Sequence, residues 1–148
     1  MKPVYIKIDE DGNKYYFSNK AMTICHREDG PAVECTNGSK FWYVTDVRHR
    51  VDGPAIEWAD GTKEWYVAGK RHRVDGPAIE DANGAKFWYV NGKLHREDGP
   101  AIEWSNGDKS WYVNGVELSE KEFNKRTKPS CEGKVIEVDG KKYKLTAI

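Results

Sequence analysis

Four histidines are the residues of this chain whose type and spacing most suggest chemistry. His26, His49, His72 and His95 are each followed by an arginine and, three residues on, by Asp29, Asp52, Asp75 or Asp98. A histidine with a carboxylate close by is the pairing a general base uses. Four imidazoles and four carboxylates are also the donor types that zinc takes. Both chemistries make further demands. A base needs a nucleophile and a pocket, and no Ser, Cys or Thr recurs at one place in all four copies. Zinc needs ligands at about 2 Å. If each copy contributes two strands, equivalent residues in successive copies lie about 9–10 Å apart. An active site needed once should break a repeated pattern, whereas residues that hold neighbouring units together must recur. The four His and four Asp are therefore expected to be structural. The Asp residues should cap their turns, and the His-Arg pairs should bond neighbouring carbonyls or a glutamate ladder. No phosphate loop, GxGxxG or nucleophile elbow occurs in the sequence. No catalytic residue, metal ligand or cofactor is assigned, and the chain is expected not to be an enzyme.

These histidines recur because the chain does. They are spaced by 23 residues, and the units read HREDGPAVECTNGSKFWYVTDVR, HRVDGPAIEWADGTKEWYVAGKR, HRVDGPAIEDANGAKFWYVNGKL and HREDGPAIEWSNGDKSWYVNGVE. A degenerate half-copy with three extra residues, DGNKYYFSNKAMTICHR, precedes them, as an irregular terminal repeat should. The runs PAIEW and KxWYV are rich in β-branched and aromatic residues. Between them stands Asn37-Gly38, Asp60-Gly61, Asn83-Gly84 or Asn106-Gly107. Such a dipeptide between two β-prone runs predicts a two-residue type I′ hairpin turn, with φ positive at both positions. A second turn follows WYV, at Asn91-Gly92 and Asn114-Gly115 and in weakened form at Ala68-Gly69 and Thr45-Asp46.

A two-residue Asn106-Gly107 turn places Trp104 opposite Lys109, Ile102 opposite Trp111 and Ala101 opposite Tyr112. One face then carries Val33, Ile56, Ile79 and Ile102 with Trp42, Trp65, Trp88 and Trp111, and this is the expected core. The other carries the repeated Ala, Glu and Tyr. A slip of one residue would exchange the faces. The same pairing sets Trp58 against Lys63 and Trp104 against Lys109 as cation–π contacts, and Asp81 against Lys86 as an ion pair.

These residues resemble the MORN repeat family, and more closely its variant form with GPA, NG and WYVNGKLHR, common in proteins of bacteria and tailed phages. The resemblance covers residues 26–117 and the half-copy before them. It implies a mainly β fold, an elongated and twisted antiparallel sheet of tandem hairpins. It does not imply a single function, since the family includes interaction scaffolds, lipid-associated proteins and antitoxin-like proteins. The HR-x-DGPA turn departs from the usual pattern, so lipid binding transfers poorly.

The rest of the chain frames the array. Residues 1–25 are expected to form an N-terminal capping hairpin, and residues 118–148 a C-terminal cap. Leu118 and Phe123 make a hydrophobic staple around a capping box of Ser119 and Glu122, which predicts a short helix over 119–127. KVIEVDGKKYKL then predicts a hairpin about Asp139-Gly140, with Ile136 opposite Tyr143 and Glu137 opposite Lys142. Helix and hairpin are expected to close the open end of the sheet.

Composition bounds the function. The 148 residues balance 24 basic against 24 acidic groups, which argues against general nucleic-acid binding. Aliphatic residues are scarce, but six Trp and eight Tyr can carry a core. Three irregularly spaced Cys give neither a zinc pattern nor a disulfide framework. No apolar run approaches membrane-spanning length, and a cytoplasmic protein is expected, in a bacterial host if phage-encoded.

Binding is the function left. Tyr43, Tyr66, Tyr89 and Tyr112 form a ladder suited to an interface. Positions that vary between units are the natural determinants of specificity: Phe41 and Phe87 (where the other units have Glu64 and Ser110), Trp58 and Trp104 (Cys35 and Asp81 elsewhere), Arg48 and Arg71 (with Leu94). The expected function is a non-enzymatic binding protein, a phage-type accessory protein that binds and inhibits a host protein such as a defence or toxin component. The alternatives are a protein that sequesters a nucleotide or other small ligand, and a structural or assembly scaffold. Self-association is compatible with each.

Overall fold

A computed structural model describes residues 4–127, 135–138 and 141–144. The fold is mainly β, a long open antiparallel sheet of 11 strands. It begins with Tyr5–Ile8 and Lys14–Phe17 and runs through Val33–Glu34, Lys40–Phe41, Ile56–Glu57, Lys63–Glu64, Ile79–Glu80, Lys86–Phe87 and Ile102–Glu103 to Lys109–Val113 and Val116–Leu118. Each unit thus adds two neighbouring strands. The chain then kinks at the Trp of WYV and makes a second hairpin. These are Tyr43–Val44 with Val47–Arg48, Tyr66–Val67 with Lys70–Arg71, and Tyr89–Val90 with Lys93–Leu94.

The type I′ geometry expected of the first turn in each unit is found at the second. At the first, Trp58 N–H bonds Thr62 O at 2.9 Å and Gly61 N–H bonds Trp58 O at 3.0 Å. That is a three-residue loop, a type I turn closed by Gly61 at φ +96°. Only the glycine is left-handed; Asn37, Asp60, Asn83 and Asn106 are not. Their side chains instead accept the N–H of the residue after the glycine, as Asp60 Oδ1 does from Thr62 at 2.8 Å. The two-residue type I′ geometry belongs to the second turn, where Asn91 and Gly92 have φ of 51° and 81°.

The longer loop shifts the register by one residue and splits the expected core: Val33, Ile56 and Ile102 are buried as expected, but the tryptophans do not share their face. Ile102 pairs with Ser110 and Glu103 with Lys109; in the unit before, Ile79 pairs with Phe87 and Glu80 with Lys86. Trp58 and Trp104 therefore do not face Lys63 and Lys109, nor does Asp81 face Lys86. Because side chains alternate along a strand, the slip moves the WYV tryptophans to the face opposite the isoleucines. The Ile face carries the Tyr ladder, with Tyr66 packing against Ile56 in a buried cluster. The other face carries the Trp row with the repeated Glu and Lys. Its close-packed layer is alanine: Ala32, Ala55, Ala78 and Ala101 are all fully buried.

The ends follow the sequence more closely. Tyr16 stands in the Trp position of the half-copy. The helix spans Glu120–Thr127, with Ser119 and Glu122 in a reciprocal capping box. It packs on the last two strands of the sheet through the buried Phe123. Val135–Val138 pairs with Lys141–Lys144 in the expected register, Ile136 with Tyr143 and Glu137 with Lys142. The Asp139-Gly140 turn and Cys131 lie outside the described residues.

Candidate functional site

On the Trp face, each repeated arginine makes one four-part clamp. Arg73 is representative. Its guanidinium lies 4.0 Å from the centre of the Trp65 ring, in the unit before. Its Nε donates to Asp75 at 3.1 Å, and Nη1 donates to Pro77 O at 3.2 Å and to Glu80 at 2.8 Å. Arg50 and Arg96 repeat this on Trp42 and Trp88, and Arg27 on Tyr16. The glycine of Asp-Gly-Pro provides the room: a Cβ on Gly76 would come within 3.0 Å of the Arg73 guanidinium. Asp29, Asp52, Asp75 and Asp98 thus take the arginine Nε–H instead of capping a turn. That hydrogen bond, with the arginine charge, holds each carboxyl below its ordinary value.

Each histidine links successive hairpins. Nδ1 of His26, His49, His72 and His95 accepts the backbone N–H of Thr45, Ala68, Asn91 and Asn114, at 3.0–3.1 Å. These donors are the first left-handed residues of the type I′ turns, whose N–H groups have no partner within the hairpin. An Nδ1 that accepts carries no proton, so the imidazole is engaged as turn glue. Between consecutive clamps lie three open grooves of about 620, 570 and 640 Å³, with the same lining of Arg, Trp, Val, His and Asp.

The opposite face is where the units differ. Here the structure gathers every residue proposed for binding: Tyr43, Tyr66, Tyr89 and Tyr112, Phe41 and Phe87, Trp58 and Trp104, Arg48 and Arg71. Trp58 packs edge-on against Phe41 at 5.2 Å, and Trp104 against Phe87 at 5.3 Å. These two indoles remain 40% and 45% exposed. Along the other rim the Tyr ladder interleaves with arginine. Arg48 donates to the Tyr43 hydroxyl at 3.3 Å and lies over Tyr66 at 5.6 Å, while Arg71 lies between Tyr66 and Tyr89 at 5.8 and 5.7 Å. Among the described residues Arg48 has no carboxylate partner.

One residue of this face was not singled out as a site by its sequence. Glu64 stands where the flanking units have Phe41 and Phe87, and its side chain is 10% exposed. One carboxylate oxygen accepts Trp58 Nε1–H at 2.9 Å. The other accepts the Tyr66 hydroxyl and Arg71 Nε, each at 3.1 Å. Burial and the nearby carboxylate push the Tyr66 phenol above its ordinary value, so it remains a donor. The third unit meets the same packing demand without charge, having Phe87 and Leu94 in place of Glu64 and Arg71. The signal in the sequence was one acid in a row that otherwise reads Phe41, Phe87 and Ser110.

Among the described residues no group of three or more His, Cys, Asp or Glu is placed to hold a metal, and no helix is long and apolar enough to cross a membrane. No protein-family model and no curated protein matches the chain.

Proposed function

We propose that this chain is a non-enzymatic binding protein that engages another protein through its Tyr face. The observation that carries the reading is Trp58. It is a large apolar side chain left two-fifths exposed, yet fixed by the Phe41 edge contact and by its bond to buried Glu64. Burying the Glu64 carboxylate is expensive even beside the partly exposed Arg71, and apolar residues of similar size do the structural job as well or better. Phe87 and Leu94 are that apolar solution one unit away. A charged pair kept where the fold does not require it supports a role in recognition. Rigid aromatic anchors beside arginine are the usual make-up of a binding hot spot. The repeat type points to a phage-type accessory protein that binds and inhibits a protein of its bacterial host.

The test is affinity capture from bacterial lysate with the native chain and with a Trp58→Ser/Trp104→Ser variant, followed by reconstitution with the purified partner. A partner that binds the native chain and is lost with the variant supports the reading. No partner, or one captured equally by both, overturns it.

A second reading rests on Arg48, a guanidinium between two tyrosines without a carboxylate partner among the described residues, which suits the phosphate and base of a nucleotide. A thermal shift with nucleotides that disappears in Arg48→Ala would favour it.

A further inference from the structure

Three strand paths cross the Tyr face from rim to rim, and the residues at their two ends differ from path to path. The first has Arg48 at one rim and Trp58 at the other. The second has Arg71 and Asp81, and the third Leu94 and Trp104. These are among the positions at which the units vary. In every path the two ends are chemical complements: a cation with an indole, a cation with a carboxylate, an aliphatic residue with an indole.

Within one copy these ends do not satisfy one another. Trp58 contacts Phe41 and Glu64, and Trp104 contacts Phe87. Asp81 Oδ1 accepts only the N–H of Asn83, at 3.2 Å, and Asp81 has no Lys or Arg partner among the described residues. Arg48 likewise has no acid.

We infer that the partner this face fits is a second copy of the chain, related by a two-fold axis running along the length of the array. The inference rests on the reading of this face as a protein-docking surface. Such an axis turns the second copy over, so that each upper rim meets the lower rim of the same strand path. Arg48 then stacks on the second copy's Trp58, Arg71 meets the second copy's Asp81, and Leu94 packs on the second copy's Trp104. Two-fold symmetry repeats each contact. An axis along the array keeps equivalent strands opposite one another at every unit. An axis along the strands fails, because any such placement that pairs Trp58 with Asp81 also sets Arg48 against Arg71. The free edge of Arg71 is sufficient, since its side chain is 40% exposed while it holds Glu64.

The size of the face sets the strength. Eight strands about 4.8 Å apart by about five residues of height give roughly 600 Å² per copy, at the low end for a specific interface. The dimer is therefore reversible and concentration-dependent, and a heterologous partner on the same face would compete with it.

Sedimentation velocity on the full chain over a concentration series tests this. The native chain should pass from monomer to dimer. Asp81→Arg, which sets arginine against Arg71, should raise the dissociation constant about tenfold or more, and Asp81→Glu should leave it near native. Leu94→Glu, which faces an indole, should weaken the dimer from another strand path; circular dichroism checks that each variant is folded. A native chain that stays monomeric at every concentration, or a dimer indifferent to folded Asp81→Arg and Leu94→Glu, overturns the inference. Monomers together with capture that depends on Trp58 and Trp104 would overturn the dimer alone and leave the function proposed above intact.

Discussion

Arg73 reaches back over the Trp65 ring at 4.0 Å and forward to Glu80 at 2.8 Å, so one side chain joins two units. Lysine cannot replace it. An ammonium on a flexible stem does not lie flat on an indole while bonding two carboxylates and a carbonyl. Arg73→Lys should cost about 1–3 kcal/mol, the scale of charge-assisted hydrogen bonds with a partly exposed cation–π contact. Thermal or urea unfolding measures the loss. A native-like melting temperature would show that the clamp contributes nothing.

Two type I′ turns carry residues poorly suited to them. Thr45 has φ of 52° and Ala68 of 48°, where the later units have asparagine. A β-branched residue in this region is strained. Thr45→Asn and Ala68→Asn should each stabilise the protein by up to about 1 kcal/mol, since the bonds to His26 and His49 are donated by the backbone N–H of residues 45 and 68 and are unaffected. Paired melting curves of single and double variants should show rises that add.

Glu64 and Arg71 should behave as one unit. Glu64→Ala strands the Trp58 N–H, the Tyr66 hydroxyl and a half-exposed guanidinium, at a cost of about 2–4 kcal/mol. Glu64→Phe/Arg71→Leu copies Phe87 and Leu94 and should be neutral or stabilising. Denaturant midpoints of the two variants, moving in opposite directions, would establish that the pair is kept for something other than stability.

Acid should loosen the clamps. Each repeated Asp is held below the ordinary value of 3.8 by its arginine. A lowered carboxylate contributes stability that is present above about pH 4 and is lost as pH falls through the lowered value. Melting temperatures of the native chain and Asp75→Asn, followed from neutral pH into acid, should therefore differ at neutral pH and converge below pH 3.8. Curves that stay parallel would remove the arginine–aspartate contacts from the account.

The repeat, its hairpins, the capping box and the terminal register could all be read from residue order, because each depends on spacing and local turn chemistry. The faces could not. Asn-Gly suits both a two-residue and a three-residue loop, and one residue of difference sends Trp65 and Ile56 to opposite sides. Part of the arginine clamp was legible, since Arg73 bonds the Pro77 carbonyl and Glu80 as its repetition suggested, whereas its stacking on Trp65 was not, because the two meet only across neighbouring units. The binding candidates nevertheless converge on one face, because the slip carries the Phe and Tyr residues that follow each turn onto the face that Trp58, Trp104 and the isoleucines already occupy. Glu64 needed coordinates, because a lone acid in such a row does not announce which donors enclose it.

The reach of these contacts also sets how the molecule can change in length. Each histidine bonds a residue 19 positions on, and each clamp arginine reaches no further than seven along its own unit and eight back, or eleven back for Arg27 on Tyr16. An open sheet asks for no closing strand, so no bond within the repeats depends on how many units follow. A chain built this way folds by extending from any formed pair of neighbours. Removing or duplicating 23 residues in frame leaves every joint intact, whereas removing 22 destroys the phase of all that follows. Gene duplication can therefore lengthen such a protein without redesigning it, and the few side chains that depart from the pattern are left to distinguish one copy from the next.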